Sequence, residues 1–197
     1  MQEPEQSRTN KERTQATRAA LLAAARKHFV EKGFAGTSTP EIVRSAGMTR
    51  GALYHHFDDK RGLFCAVVKE EHRAVAQDIN DSADTGASTH ESLVKGSEAY
   101  LRAMTVPGRT RLLLIEAPSV LGGTAADELD DSAATLLEGL KAAKDLSGSG
   151  IALPVLAKLL SAAFDRAALE IEAGWDAAET RAAMIFVVER IIGTMNK

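Results

Sequence analysis

Residues 39–57 read TPEIVRSAGMTRGALYHHF. Two short apolar-periodic segments flank a turn centred on Gly47, where a residue free to take positive φ is needed. Two helices joined by a three- to four-residue turn make a helix-turn-helix, whose second helix enters the DNA major groove. Ile42, Val43, Ala46, Met48, Leu53 and Phe57 are the apolar pegs that fix the angle between the helices. Thr49, Arg50, Gly51, Tyr54, His55 and His56 fall on the outward side of the second helix. All but the glycine are hydrogen-bond donors, as phosphates and base edges require. Gly51 costs roughly 1 kcal/mol in a helix relative to alanine. Close approach of the backbone to DNA is a reason to keep it. Thr39 and Thr49 are expected as N-caps, where free N–H groups and the helix dipole also favour an anion.

Outward from this stretch the chain reads as all-α, with about nine helices. Residues 1–9 are expected as a mobile tail, with Thr9-x-x-Glu12 as a capping box. A first helix then runs to Lys32, with Leu21, Ala25 and Phe29 on one face and Gly33 as its stop. The second helix ends near Ala46, the third runs through Phe57, and Asp58 or Asp59 caps a fourth that ends near Asp81. DSADTGAST at 81–89 is a linker, and a fifth helix covers about 90–105 before Pro107. RTRLLLIEA is a short sixth helix ended by Pro118, and a seventh runs from about 119 to 145, weakened at Gly122-Gly123. SGSG at 147–150 is a loop, and two helices at about 153–173 and 176–195 close the chain.

The formal net charge of −3 on 197 residues does not resemble that of a nucleic-acid binder. It hides an asymmetry. Residues 1–75 hold 13 Lys+Arg against 9 Asp+Glu, and residues 76–197 hold 11 against 18. A basic front and an acidic rear imply two tasks in one chain. Arg8, Lys11 and Arg13 could form a basic arm, although a solvated run is the commoner role for such residues.

Several classes are excluded. No stretch is long and apolar enough to span a membrane, and the polar start MQEPEQSRTNKER does not read as a secretory signal. The lone Cys65 rules out an internal disulfide and a Cys-based zinc cluster, so a reduced cytoplasmic setting is expected. The phosphate-loop, dinucleotide-binding, nucleophile-elbow and HExxH signatures are absent, so no enzyme is expected. His28, His55, His56, His72 and His90 lack the i, i+4 spacing of a metal pair. No metal and no cofactor are expected.

The run from Lys32 to Phe64 resembles the TetR (TetR/AcrR) family of bacterial transcriptional regulators. Gly33, Phe34, Thr37, Thr39, Ile42, Ala46, Gly47, Thr49, Arg50, Gly51, Leu53, Tyr54, His56, Phe57, Lys60 and Leu63 carry the likeness. The resemblance implies phosphate contacts at Thr39, Thr49, Tyr54, His56 and Lys60, and approach to base edges at Arg50, Gly51 and His55. It also implies a DNA-binding domain over 1–58 and a ligand-binding and dimerisation domain over 59–197, with helix four (about 59–81) as connector. A repressor that is released from double-stranded DNA by a small-molecule effector would follow.

The last two helices are apolar over wide arcs, which suits both a core and a partner subunit. Leu160, Ala168, Met184, Val188, Ile191, Ile192 and Met195 are the expected homodimer interface. The two-fold then implies a palindromic operator with half-sites about 34–36 Å apart. Tyr100, Met104, Arg111, Glu116, Phe164, Asp165 and Trp175 are candidate pocket residues, since together they combine aromatic or Met surface with a few polar groups. The competing readings are an architectural DNA-binding protein and an activator without a ligand.

Overall fold

The computed structural model describes residues 5–83, 86–130, 132–143 and 150–193. Among these, every regular element is helical: α1 (Glu5–Gly36), α2 (Thr39–Ser45), α3 (Arg50–His56), α4 (Lys60–Asp81), α5 (Thr89–Met104), a π-helical turn (Arg111–Glu116), α6 (Ala117–Leu121), α7 (Gly123–Asp127), α8 (Ser132–Ala142), α9 (Leu153–Glu172) and α10 (Ala177–Gly193). The all-α expectation holds.

α1 begins earlier than the sequence implied. Helix already covers Glu5, so Thr9 lies inside it and does not cap it. Residues 9–16 lie in solvent without breaking the helix. Of the expected tail, residues 1–4 fall outside the described residues. At the other end Gly33 does interrupt the helix, at φ 71° and ψ 172°, a region essentially reserved for glycine. Added carbon at this position would also meet Glu116 Oε1 at 2.7 Å.

Past α5 the helices are more broken than expected. Pro118 does not end a helix; it sits inside one, in the first turn of α6. The π-turn before it widens the backbone, so the N–H of Ala117 reaches Leu112 O, five residues back. Such a turn relieves the crowding that a proline ring imposes on the preceding turn. The single helix expected over 119–145 is three pieces. Gly122 at φ 89° separates α6 from α7, and Asp130 Oδ1 accepts from the N–H of Ser132 at the start of α8. Of the expected SGSG loop only Gly150 is described.

α4 is the axis of the molecule, packing against α1 on one side and α5 on the other. α8 and α9 pair, and α10 lies against α5 and α9. Buried residues form one continuous apolar cluster from Leu21, Phe29 and Ile42 through Leu63, Phe64 and Val68 to Leu101, Leu112, Leu140 and Phe164. The rings of Phe29 and Phe34 each meet Phe64 edge-on, at 5.0 and 5.2 Å between centroids. This aromatic knot joins α1 to α4 and so sets where the helix-turn-helix sits on the rest of the chain.

Candidate nucleic-acid interface

α2 and α3 are held by their apolar pegs. Ile42, Val43, Leu53 and Phe57 are buried, and Ala46 and Met48 pack against the same cluster. The turn between them closes through Gly47 N–H to Arg44 O and Met48 N–H to Val43 O. Gly47 takes φ 65°, a left-handed conformation that glycine adopts without cost.

The cap of α2 is Ser38, not Thr39. Ser38 donates through its N–H and its hydroxyl to Glu41 Oε2, one half of a capping box. Thr39 is thereby the first helical residue, with Pro40 behind it. The signal was present in sequence as Ser38-x-x-Glu41, but the adjacent threonine competed with it. Lys32 Nζ stands 2.7 Å from Glu41 Oε1. That hydrogen bond, with those from Ser38, pulls the Glu41 carboxyl down to about 2. Thr49 does cap α3, its hydroxyl accepting from Ala52 N–H.

The outward side of α3 is free of the protomer. Thr49, Arg50, Gly51, Tyr54 and His55 are exposed, and His56 is half-buried with its ring against Phe57. The Arg50 guanidinium lies 5.5 Å from the centroid of the Tyr54 ring. A side-chain hydrogen bond with Thr39, then one with Arg50, lowers the pKa of the Tyr54 hydroxyl. Thr39, Arg50 and Tyr54 therefore form one polar surface bridging α2 and α3. A carbon added at Gly51 would meet only Thr49 Oγ1, at 3.9 Å. Nothing in the described protomer demands a glycine there, which leaves close approach by an outside body as its use.

Lys60 is placed differently from the other candidates. Its Nζ donates to Phe34 O and Thr37 O, both at 2.9 Å, and lies 4.2 Å from the Phe34 ring centroid. The buried Thr37 hydroxyl lies within hydrogen-bonding distance of Gly33 O and His28 O. Together they satisfy carbonyls that the broken end of α1 leaves without helical partners. Lys60 thus braces the module and has one N–H left for an external acceptor.

In the rear of the molecule the candidate pocket residues separate. Tyr100 and Phe164 line a cavity of about 310 Å³ between α4, α5, α8 and α9, and Asp165 accepts from the Tyr100 hydroxyl. Met104 lines a smaller cavity of about 230 Å³ beside Thr110 and Ala168. Arg111 and Glu116 pair with each other at 3.0 Å on the π-turn, next to Gly33. Trp175 lies exposed on an outer groove between α9 and α10. Sequence reading missed most of the first cavity's wall, including Asn80, Ser92, Ser97, Thr135 and Ser161. Small hydroxylated residues on helices carry no periodic signal that would single them out.

The expected interface residues also separate. Leu160, Ala168, Val188 and Ile192 are buried within the protomer, and Met184 and Ile191 pack against its core. Met195 lies outside the described residues. The apolar surface of this helix pair is carried instead by Val155, Leu159, Phe186 and Val187, all exposed. Helix α10 is apolar on both sides, and the sequence does not say which side the protomer's own core takes.

No helix among the described residues is long and apolar enough to cross a membrane. Comparison with known proteins agrees with the geometry. Residues 21–67 match the family described as bacterial regulatory proteins, tetR family, and residues 90–195 match the tetracyclin repressor-like C-terminal domain. The chain is 35% identical over 92 residues to the HTH-type transcriptional regulator TtgR of Pseudomonas putida, which covers 47% of this chain and 37% of that protein. It is 33% identical over 66 residues to the HTH-type transcriptional repressor AcnR of Corynebacterium glutamicum, covering 34% of this chain and 35% of the relative. The chain thus spans little more than a third of the length of these curated relatives. Among solved structures, a TetR-family transcriptional regulator from Pectobacterium atrosepticum is 32% identical, with a TM-score of 0.68 over 93% of this chain and 96% of that one. A TetR-family regulator from Streptomyces coelicolor shares the fold at 18% identity, with a TM-score of 0.74 over 93% and 97%. With both halves matched and the helix-turn-helix in place, the chain belongs to the TetR family of bacterial regulatory proteins.

Proposed function

We propose that the protein is a homodimeric transcriptional regulator, a repressor that binds a palindromic operator in double-stranded DNA and is released by a small-molecule effector. The observation that carries this reading is the free face of α3, where Thr49, Arg50, Gly51 and Tyr54 lie exposed beside Thr39. Thr39, Thr49, Tyr54, His56 and Lys60 would hold phosphates, and Arg50, Gly51 and His55 would approach base edges. Residues 1–58 would read DNA, and residues 59–197 would dimerise and sense. The two α3 helices of the dimer would enter major grooves one helical turn apart, about 34–36 Å. The acidic rear would stay clear of the phosphates.

Release by an effector requires a ligand that prefers a conformation in which those helices no longer match the grooves. α4 supports this. Its first residue, Lys60, braces the helix-turn-helix, and its last turns, at Ile79 and Asn80, line the 310 Å³ cavity. That cavity favours the ligand-responsive reading over an architectural protein or an activator without a ligand.

The test is a gel shift with duplex DNA selected from a random pool. Arg50→Ala with Tyr54→Ala should abolish binding while the oligomeric state by sedimentation stays as in the parent. Unchanged affinity in the double variant would end the helix-turn-helix reading.

A further inference from the structure

The cavity between α4, α5, α8 and α9 has a wall of one chemical kind. Its eighteen described lining residues include no Asp, Glu, Lys, Arg or His. Ile79, Leu93, Leu136 and Phe164 supply apolar surface, and Asn80, Tyr100 and a set of serines and threonines supply polarity. Several of those hydroxyls already spend their proton inside the protein. Ser82 donates to Ile79 O, Ser97 to Leu93 O, and Tyr100 to Asp165. Each retains oxygen lone pairs and has no proton to offer, so what remains at these positions accepts hydrogen bonds. Burial, then the neighbouring Asp165 carboxylate, raises the pKa of the Tyr100 hydroxyl, so it stays neutral at physiological pH. Gly96 and Gly139 lie on the same wall, where an added carbon would meet Ile79 at 3.6 Å and Leu93 at 2.6 Å.

A charged ligand would lose its water here and find no countercharge among the described lining residues, which is costly. An apolar body gains from burial, and a hydroxyl on it can donate to the acceptors. The volume falls in the range of small-molecule sites, about 300–1,000 Å³. We propose that this cavity binds an uncharged, mainly apolar alcohol or phenol, held by donation of its O–H to the hydroxyl-lined wall. This rests on the reading of the protein as an effector-responsive regulator, and it names the effector's class.

The experiment is calorimetric titration of the protein with three probes of one shape: 2-naphthol, 2-naphthoate and 2-naphthylmethylammonium. 2-Naphthol should bind about tenfold or more tightly than either ion. Ser161→Phe, which fills the wall from α9, should abolish that binding. Gly96→Leu is the second filling variant, should the first fail to fold. Ser161→Lys should reverse the preference toward 2-naphthoate. Equal or tighter binding of either ion to the parent protein, lost in Ser161→Phe, would overturn the proposed class and leave the cavity as an effector site. Absence of binding by all three probes would overturn the proposal. Operator binding, measured separately by gel shift, would then show whether the regulator reading stands without it.

Discussion

The backbone N–H of Phe34 donates to Glu116 Oε2 at 2.7 Å, across 82 residues of sequence. The break at Gly33 frees this N–H from α1, and the π-turn delivers the carboxylate to it. Glu116 also pairs with Arg111 at 3.0 Å through its other oxygen. One side chain therefore ties the entrance of the helix-turn-helix to the irregular turn of the rear domain. Hydrogen bonds to charged groups contribute about 1.5–3 kcal/mol. Glu116→Ala should lower unfolding stability by about that amount, read as a fall in the urea midpoint. Glu116→Gln keeps an acceptor and should lose less; equal losses would assign the effect to packing.

Glu71 is the centre of a second tie. It is only 7% exposed, and its carboxylate takes hydrogen bonds from Arg26 on α1 and from Arg109 before the π-turn. Burial alone would raise its pKa, but the hydrogen bonds and charges of the two arginines outweigh it and lower the pKa below the ordinary 4.5. Its contribution to stability is therefore complete above that ordinary value and is lost as pH falls through the lower, folded one. Glu71→Gln leaves Arg109 buried with Asp78 as its remaining acidic partner among the described residues, and should cost about 3 kcal/mol at neutral pH. Chemical denaturation across the acid range should show that cost shrinking as pH falls. A cost that does not vary with pH would mean that the charge of Glu71 is not what stabilises the fold.

These two ties mark where sequence reading stops. The pegs Ile42, Val43, Leu53 and Phe57, the cap at Thr49 and the stop at Gly33 are local, so spacing and residue type reveal them. Glu116 and Glu71 act on partners tens of residues away, and a glutamate in an apolar helix carries no mark of its partner. Pro118 misled because proline ends most helices, whereas here a π-turn accommodates it. The exposed face of α3 was legible because a face that packs on nothing inside stays polar at helical spacing. The wall of the cavity was not, because it is assembled from four helices at single small residues.

Lys60, expected from its pattern to meet a phosphate, does other work inside the protomer. With two N–H groups bound to Phe34 O and Thr37 O, it stabilises the module before any DNA arrives. Lys60→Met should lower stability by about 1–3 kcal/mol in thermal denaturation. If the remaining N–H reaches a phosphate, the slope of log affinity against log salt should also become shallower by about 0.9. We expect both effects. An unchanged slope with lowered stability would leave Lys60 as a brace alone.

The apolar faces of α9 and α10 give the last prediction, because burial separates two groups that the sequence joined. Val188 and Ile192 are buried in the protomer, whereas Leu159 and Phe186 are 65% and 55% exposed. The Arg190 guanidinium lies 5.0 Å from the Phe186 ring centroid, leaving a large aromatic surface with a charge at its edge. An isologous two-fold contact would bury this surface against its own copy. Phe186→Glu with Leu159→Glu would place like charges in that contact while leaving the protomer core untouched. The doubly substituted protein should sediment as a folded monomer, with a helical circular dichroism spectrum like that of the parent. Val188→Ala should do the reverse. It removes buried volume and should cost about 1–3 kcal/mol of protomer stability, leaving association unchanged at concentrations where the chain is folded. If the glutamate variants remain dimeric, this face is not the interface, and the outer groove beside Trp175 becomes the surface to substitute next.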